Sequence, residues 1–508
     1  MTSSRPNADP PGRFALEPKT ILDDGARWHL GVITHNDTIR KKMRPAYTAH
    51  ALDALEHTLE DLGTLEVATL PTGLPRAAEN RKGSASDQLG YKSVWTRDVA
   101  FIANAWLKTG KRELAANALS ALIAYYATPP QMQRMHACIR LAREGTRPPH
   151  SERPHIRFDG EKLADIEGPW FHAQNDALGL FLGATFEAAA EGAIALTDAR
   201  LEPLALLAHF FDAIDYSTDK ECGHWEEPGK KGGRVIASSL RCAVFGLQSL
   251  RRWMRASSDR ASRLDRALER AMRTTGMAPS FRFAAPSDDL DRAIDRGARA
   301  LKDLLPLESR GRGIYHRTSD MALLTAVYVD LLVDRSDRLI SDETRQVILK
   351  RFDRQLRGSH GDRLYRGAGY WASFDGEGKD DLAYKYRMSA GGLEERLASG
   401  FIAGGEAQFT MGTPLLSAIH GRLFEETKDP RHLALQTLEL NRTLGMVTGE
   451  KSALGAGAIP EAYTRVRNTE RGDVWRYIEN PLPLNWSKAN LRLALHAMRR
   501  SVASIPRP

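Results

Sequence analysis

Cysteine is scarce in this 508-residue chain. There are three, Cys138, Cys222 and Cys242, an odd number without CxxC spacing. That argues against a disulfide framework and a cysteine-built zinc site, and it suits a reducing compartment. No apolar run reaches the length that spans a bilayer, and Met1 to Phe14 lacks the apolar stretch of a secretory signal. Internal repeats and convincing alternating strands are missing too. The +8 charge excess is dispersed, largely as arginine, rather than gathered into a basic tail. A solvated surface explains it better than a nucleic-acid-binding one. The expectation is a cytoplasmic protein that engages neither membrane nor nucleic acid and carries no metal or other cofactor. Nothing in the sequence decides between a monomer and a homo-oligomer.

What is present is helix. Hydrophobic residues make up 42% of the chain, enough for a large core. Residues 1–15 read as a disordered N-terminal arm, too polar to pack. After it, periodic apolar stripes predict helices over 47–62, 98–108, 113–126, 129–143, 170–190, 201–214 and 235–253. Two more lie within 258–305, and others over 321–333, 343–354, 393–402, 414–426, 430–445 and 487–498. His155, Arg157 and Asp159 alternate with Ile156 and Phe158, which predicts one short strand. Short turns and long polar loops alternate between the helices. Antiparallel helix pairs closed into a ring would put the long loops at one end, on a rigid support. The stretch from about 40 to 500 reads as one domain.

The loop over 215–233 is a long polar interruption between two strong helices. At its centre Trp225, Glu226 and Glu227 set carboxylates beside an indole, and an apolar neighbour can raise a carboxyl pKa toward that of a general acid. Trp95, Arg97 and Asp98 sit at a helix start, offering a stacking surface and directional hydrogen bonds to vicinal hydroxyls. Gln174 and Asp176 stand at the mouth of an apolar helix. Glu461 follows Pro460 in a glycine-rich loop, and Trp486 lies in Pro483-Leu-Asn-Trp-Ser-Lys-Ala-Asn490.

Taken together, Trp-Thr-Arg-Asp at 95–98, Gln-x-Asp at 174–176, His-Trp-Glu-Glu at 224–227, Pro-Glu at 460–461 and the 483–490 stretch resemble glycoside hydrolase family 15, the glucoamylase-like family. Tyr365 to Trp371 and Glu406 to Phe409 are similar to the branch containing bacterial relatives of the phosphorylase kinase α and β subunits. The resemblance implies an all-α (α/α)6 barrel of about twelve helices with long active-site loops at one end. It implies an exo-acting, inverting hydrolase of α-glucans or α-gluco-oligosaccharides that releases β-glucose. Glu226 would be the general acid and Glu461 the general base, with Glu406 the alternative base because Ala462 stands where glucoamylases commonly have Gln. Arg97 and Asp98 would hold the terminal glucose, Trp95 and Trp225 would line the pocket, and Glu227 would contact the next sugar. Gln174, Asp176 and Trp486 complete the expected substrate-binding set. A regulatory glucan-binding protein related to the kinase subunits is the alternative function.

Overall fold

A computed structural model describes residues 26–79, 90–168, 170–227, 233–273, 276–373, 398, 400–468, 474–480 and 482–505. The expected arm at 1–15, most of the helix expected over 393–402 and the loop beyond 373 lie outside the described residues.

Fifteen α-helices run through the described residues: α1 (Asp37–Arg40), α2 (Ala49–Asp61), α3 (Thr96–Lys108), α4 (Arg112–Tyr126), α5 (Pro129–Arg143), α6 (Asn175–Ala190), α7 (Asp198–Ala213), α8 (Ala237–Arg255), α9 (Arg260–Met272), α10 (Asp289–Leu304), α11 (Ala322–Leu332), α12 (Asp342–Gln355), α13 (Gly412–Thr427), α14 (Pro430–Gly445) and α15 (Asn485–Ala503). Six of them close a ring. α3 packs on α6, α6 on α8, α8 on α11, α11 on α13, α13 on α15, and α15 returns to α3. The other helices form a second layer around this ring, so the molecule is an (α/α)6 barrel. The count exceeds the expected dozen because the outer layer is broken into more pieces than six, α4 with α5 and α9 with α10 among them.

The two layers differ in composition for a physical reason. Inner helices touch the barrel interior on one side and the outer layer on the other, so they are apolar nearly all round. In α11 every residue from Ala322 to Leu331 is buried. Outer helices bury one stripe, as in α9, where Leu264, Ala267, Leu268 and Ala271 face inward. The α6–α8 contact is close because of glycine: a Cβ on Gly179 would stand 2.5 Å from the backbone of Cys242 and Ala243.

Among the described residues, side-chain caps occur only in the outer layer, although α4, α5, α9 and α10 lack them too. Thr48, Thr197, Ser341 and Asp429 cap the outer helices α2, α7, α12 and α14 with their own side chains. None of the six inner helices has such a cap. At three of them a carboxylate from outside the helix serves instead: the distant Glu221 accepts from the Asn175 amide at 2.6 Å and the distant Glu308 from Ser238 at 3.1 Å, while the nearby Asp320 accepts from Ala322 at 2.9 Å. The N-terminal ends of the inner helices thereby become a rim of acidic loops. α6 begins at Asn175, five residues later than expected, because 170–174 runs non-helically into that borrowed cap.

Three small antiparallel sheets add to the helices. β1 (Arg27–His29) pairs with β2 (Val32–Thr34). β3 (Val94–Trp95), β4 (Arg157–Asp159) and β5 (Ala164–Asp165) form the second sheet, with Trp95 opposite Arg157 and Phe158 opposite Val94. β6 (Gln408–Phe409), β7 (Ala462–Asn468) and β8 (Val474–Glu479) form the third. The expected strand over 155–159 is β4; the hairpin of β7 and β8 was not expected.

Candidate active site

A cavity opens at the N-terminal end of the ring. Tyr91, Trp95, Arg97 and Asp98 enter it from the start of α3, Trp170 from the approach to α6, and His224, Trp225 and Glu226 from the loop before α8. Leu364 and Tyr370 come from the segment after α12, Phe409 and Met411 from the start of α13, and Glu461, Leu484 and Trp486 from the approach to α15. Stretches nearly 400 residues apart in sequence thus meet because inner-helix starts share one end of a closed ring.

The loop carrying Glu226 is pinched at its base by reciprocal backbone hydrogen bonds between Glu221 and Arg234, at 3.0 and 3.1 Å. The Cys222 amide ties it to Ala173 at 2.8 Å. Glu226 itself has φ +57°, the left-handed region a non-glycine residue rarely occupies. Such strain persists only where the surroundings enforce it, and it concentrates at functional sites. Trp95 Nε1 donates to Glu226 Oε1 at 2.9 Å, and Arg97 Nη1 lies 3.9 Å from the same oxygen. Burial raises the Glu226 pKa above the usual carboxylate range, while Arg97 and Arg157 pull against it. The sequence pointed to Trp225 as the indole acting on Glu226. Instead Trp225 turns its N–H to Asp320 at 2.8 Å, and its carbonyl accepts from the Tyr370 hydroxyl.

Glu461 lies just before β7, where its backbone is held on both sides: its amide donates to Leu482 at 2.6 Å and its carbonyl accepts from Thr410 at 3.1 Å. Its carboxylate is surrounded by neutral donors. The Tyr91 hydroxyl lies 3.0 Å from Oε1, while Trp371 Nε1 and Asn480 Nδ2 reach Oε2 at 3.0 and 3.2 Å. Tyr91 also packs against Trp95, with ring centroids 5.4 Å apart, so the aromatic wall is continuous between the two carboxylates.

Arg97 is buried and fully engaged. Its Nε donates to Asp176 at 2.5 Å and its Nη2 to Gln174. Asp176 also meets His224 Nδ1 at 3.2 Å. Gln174 and Asp176 are therefore not part of the cavity wall; they hold Arg97 from behind. Asp98 does face the cavity. Burial raises its pKa to about 7, with the nearby Glu226 and Glu461 adding to the rise and Arg97 opposing it. Trp486 lines the cavity and packs on Phe101, with centroids 5.0 Å apart.

Two further expectations are corrected. Glu227 does not reach the cavity: it is fully buried, accepting from Arg317, the Tyr365 hydroxyl and, at 3.3 Å, Arg234. Arg317 in turn pairs with Asp320 at 2.9 Å, the residue that holds Trp225, so Glu227 anchors the support of the loop. Glu406, the alternative base, accepts from the Gly367 amide at 2.7 Å and lies 3.5 Å from Arg363, outside the cavity lining. Trp371 and Asn480 were not singled out as site residues; Trp371 ends the Tyr365 to Trp371 stretch and Asn480 precedes the 483–490 stretch, and nothing local marks their contact with Glu461.

Residues 51–305 match the sequence profile of glycosyl hydrolases family 15. The chain belongs to this family. It is 30% identical over 202 residues to the uncharacterized lipoprotein YgeQ of Escherichia coli strain K12, spanning 36% of this chain and 75% of that protein. Among solved structures it resembles a glycosidase variant in complex with glucose, with a TM-score of 0.56 and 15% identity, over 91% of this chain and 100% of the other. A glucoamylase from Saccharomycopsis fibuligera gives a TM-score of 0.53 at 12% identity, covering 91% and 98%. A bacterial glucoamylase complexed with acarbose gives 0.50 at 14% identity, covering 89% and 56%. At these identities the structural likenesses establish the fold. Family membership makes the protein a glycoside hydrolase.

Proposed function

We propose that this glycoside hydrolase is an exo-acting, inverting α-glucosidase of glucoamylase type, releasing β-glucose from the non-reducing ends of α-glucans or α-gluco-oligosaccharides. The observation that carries the reading is the contrast between two carboxyl groups in one cavity. Glu226 is desolvated and its pKa is raised, which suits a proton donor. Glu461 is met by three neutral donors, which fix its oxygens as acceptors. Glu226 gives its proton to the glycosidic oxygen as the bond to the anomeric carbon breaks. Glu461 takes a proton from water as that water's oxygen forms the new bond from the opposite face. Solvent then returns the proton from Glu461 and reprotonates Glu226. Asp98, with Arg97 held rigid behind it, would bind the terminal sugar's hydroxyls, and Trp95, Trp225 and Trp486 would provide its apolar walls. The neighbours solved with glucose and with acarbose support a glucosyl unit in the cavity.

Proton NMR of the first product from maltose, isomaltose and trehalose tests the reading. β-glucose should accumulate before mutarotation. Only the glucose whose anomeric carbon is attacked is inverted, so trehalose should give equal α- and β-glucose at first, and α-glucose alone from trehalose would rule out inversion. Failure to turn over any substrate while α-glucans still bind would make the protein a glucan-binding regulator.

A further inference from the structure

We infer that Trp371 and Asn480 are positioning residues that lock one oxygen of Glu461 and leave the other to take the proton from water; this rests on Glu461 being the base. Oε2 faces two N–H donors, Trp371 at 3.0 Å and Asn480 at 3.2 Å, and the Tyr91 hydroxyl lies 3.2 Å away. Among the described residues Oε1 meets the Tyr91 hydroxyl alone, at 3.0 Å. Two N–H donors satisfy both lone pairs of Oε2. Oε1 keeps a lone pair, so it is the oxygen that receives the proton. Donors arriving from separate segments also stop the carboxylate from rotating, which would exchange the two oxygens.

Both donors are fastened to the strand that follows the base. The Trp371 carbonyl accepts from the Thr464 hydroxyl at 2.8 Å, and the Asn480 amide donates to the Ala462 carbonyl at 3.0 Å. Trp371 holds its indole in place from a left-handed backbone, φ +53°, a strained conformation for a bulky side chain. Asn480 must present its nitrogen to Glu461, since its oxygen would set two acceptors against each other. The charged and titratable groups sharing the cavity with Glu461 are Arg97, Asp98, His224, Glu226, Tyr91 and Tyr370. Removing either neutral donor leaves all of those charges in place.

The test is the pH dependence of kcat/KM for Trp371→Phe and Asn480→Leu, measured with α-glucosyl fluoride. Each lost donor should raise the acidic limb by about one pH unit and lower kcat, with KM little changed. A merely structural role would scale activity at every pH without moving the limb. An unmoved limb in folded Asn480→Leu, verified by its thermal midpoint, overturns the inference even if Trp371→Phe does not fold. Glu461→Ala separates the two levels. A wild-type acidic limb surviving in its residual turnover would show that Glu461 is not the base. Loss of the limb there, with the donor variants unshifted, would leave the base assignment standing and remove only the positioning role.

Discussion

Trp95 donates its indole N–H to Glu226 at 2.9 Å from the position just before α3. The contact opposes the effect of burial. Burial favours the protonated acid, whereas an N–H donor favours the carboxylate. Trp95→Phe keeps the ring and removes the donor, so the Glu226 pKa should rise further. The basic limb of kcat/KM should move up by about one pH unit. A basic limb that stays put or moves down would show that the indole does not set the acid's pKa.

The two carboxylates should respond differently to the leaving group. Glu226→Gln should depress turnover of maltose strongly and of α-glucosyl fluoride much less, because fluoride needs little protonation to depart. Glu461→Gln should depress both. Steady-state rates of the two variants on the two substrates decide it, and equal losses throughout would contradict the assignment.

Arg97 is tied into a buried polar network. Arg97→Ala strands Asp176 as an uncompensated buried charge and takes the donor from the Gln174 side-chain oxygen, a loss on the order of 3–5 kcal/mol. Arg97→Lys should recover little, since one ammonium does not reproduce a guanidinium directed at two partners. Urea unfolding midpoints measure this directly, and a midpoint unchanged in Arg97→Ala would refute the network.

Asp98 links stability to pH with a definite sign. Its folded pKa of about 7 lies above the unfolded value near 4. Between those values the folded state retains a proton that the unfolded state has lost, so stability falls as pH rises through this window. Asp98→Asn removes the ionisation. It should be more stable than wild type at pH 7.5, with the difference fading below about pH 4, and it should bind glucose or an iminosugar more weakly. Denaturation curves at several pH values, paired with calorimetric titration, test both halves.

The ring was legible because inner helices such as α6 and α11 are unbroken apolar runs, and long loops bearing Trp and Glu alternate with short turns. Their starting points were not legible. Asn175 takes its cap from Glu221, 46 residues away, so no local signal marks where α6 begins. The β7–β8 hairpin did leave a trace, in the alternation Thr464-Arg465-Val466-Arg467 ahead of Gly472-Asp473. Among the site residues, motif and structure place Trp95, Asp98, Trp225, Glu226, Glu461 and Trp486 together in the cavity. Glu227 could not be placed from sequence, because Arg317, 90 residues on, draws it into the core. Trp371 and Asn480 reach Glu461 only through folding of loops 90 and 19 residues from it.

Ring closure gives the chemistry an order in time. Glu226 is synthesised less than halfway along the chain, Glu461 much later, and the wall containing Trp486 later still. The cavity has no complete lining until α15 docks against α3. A nascent or truncated chain ending before residue 484 would carry Glu226 on an open arc of helices, without the wall that completes the cavity. For this architecture hydrolysis begins as an all-or-none event, and appearance of activity during refolding should report the meeting of α3 and α15.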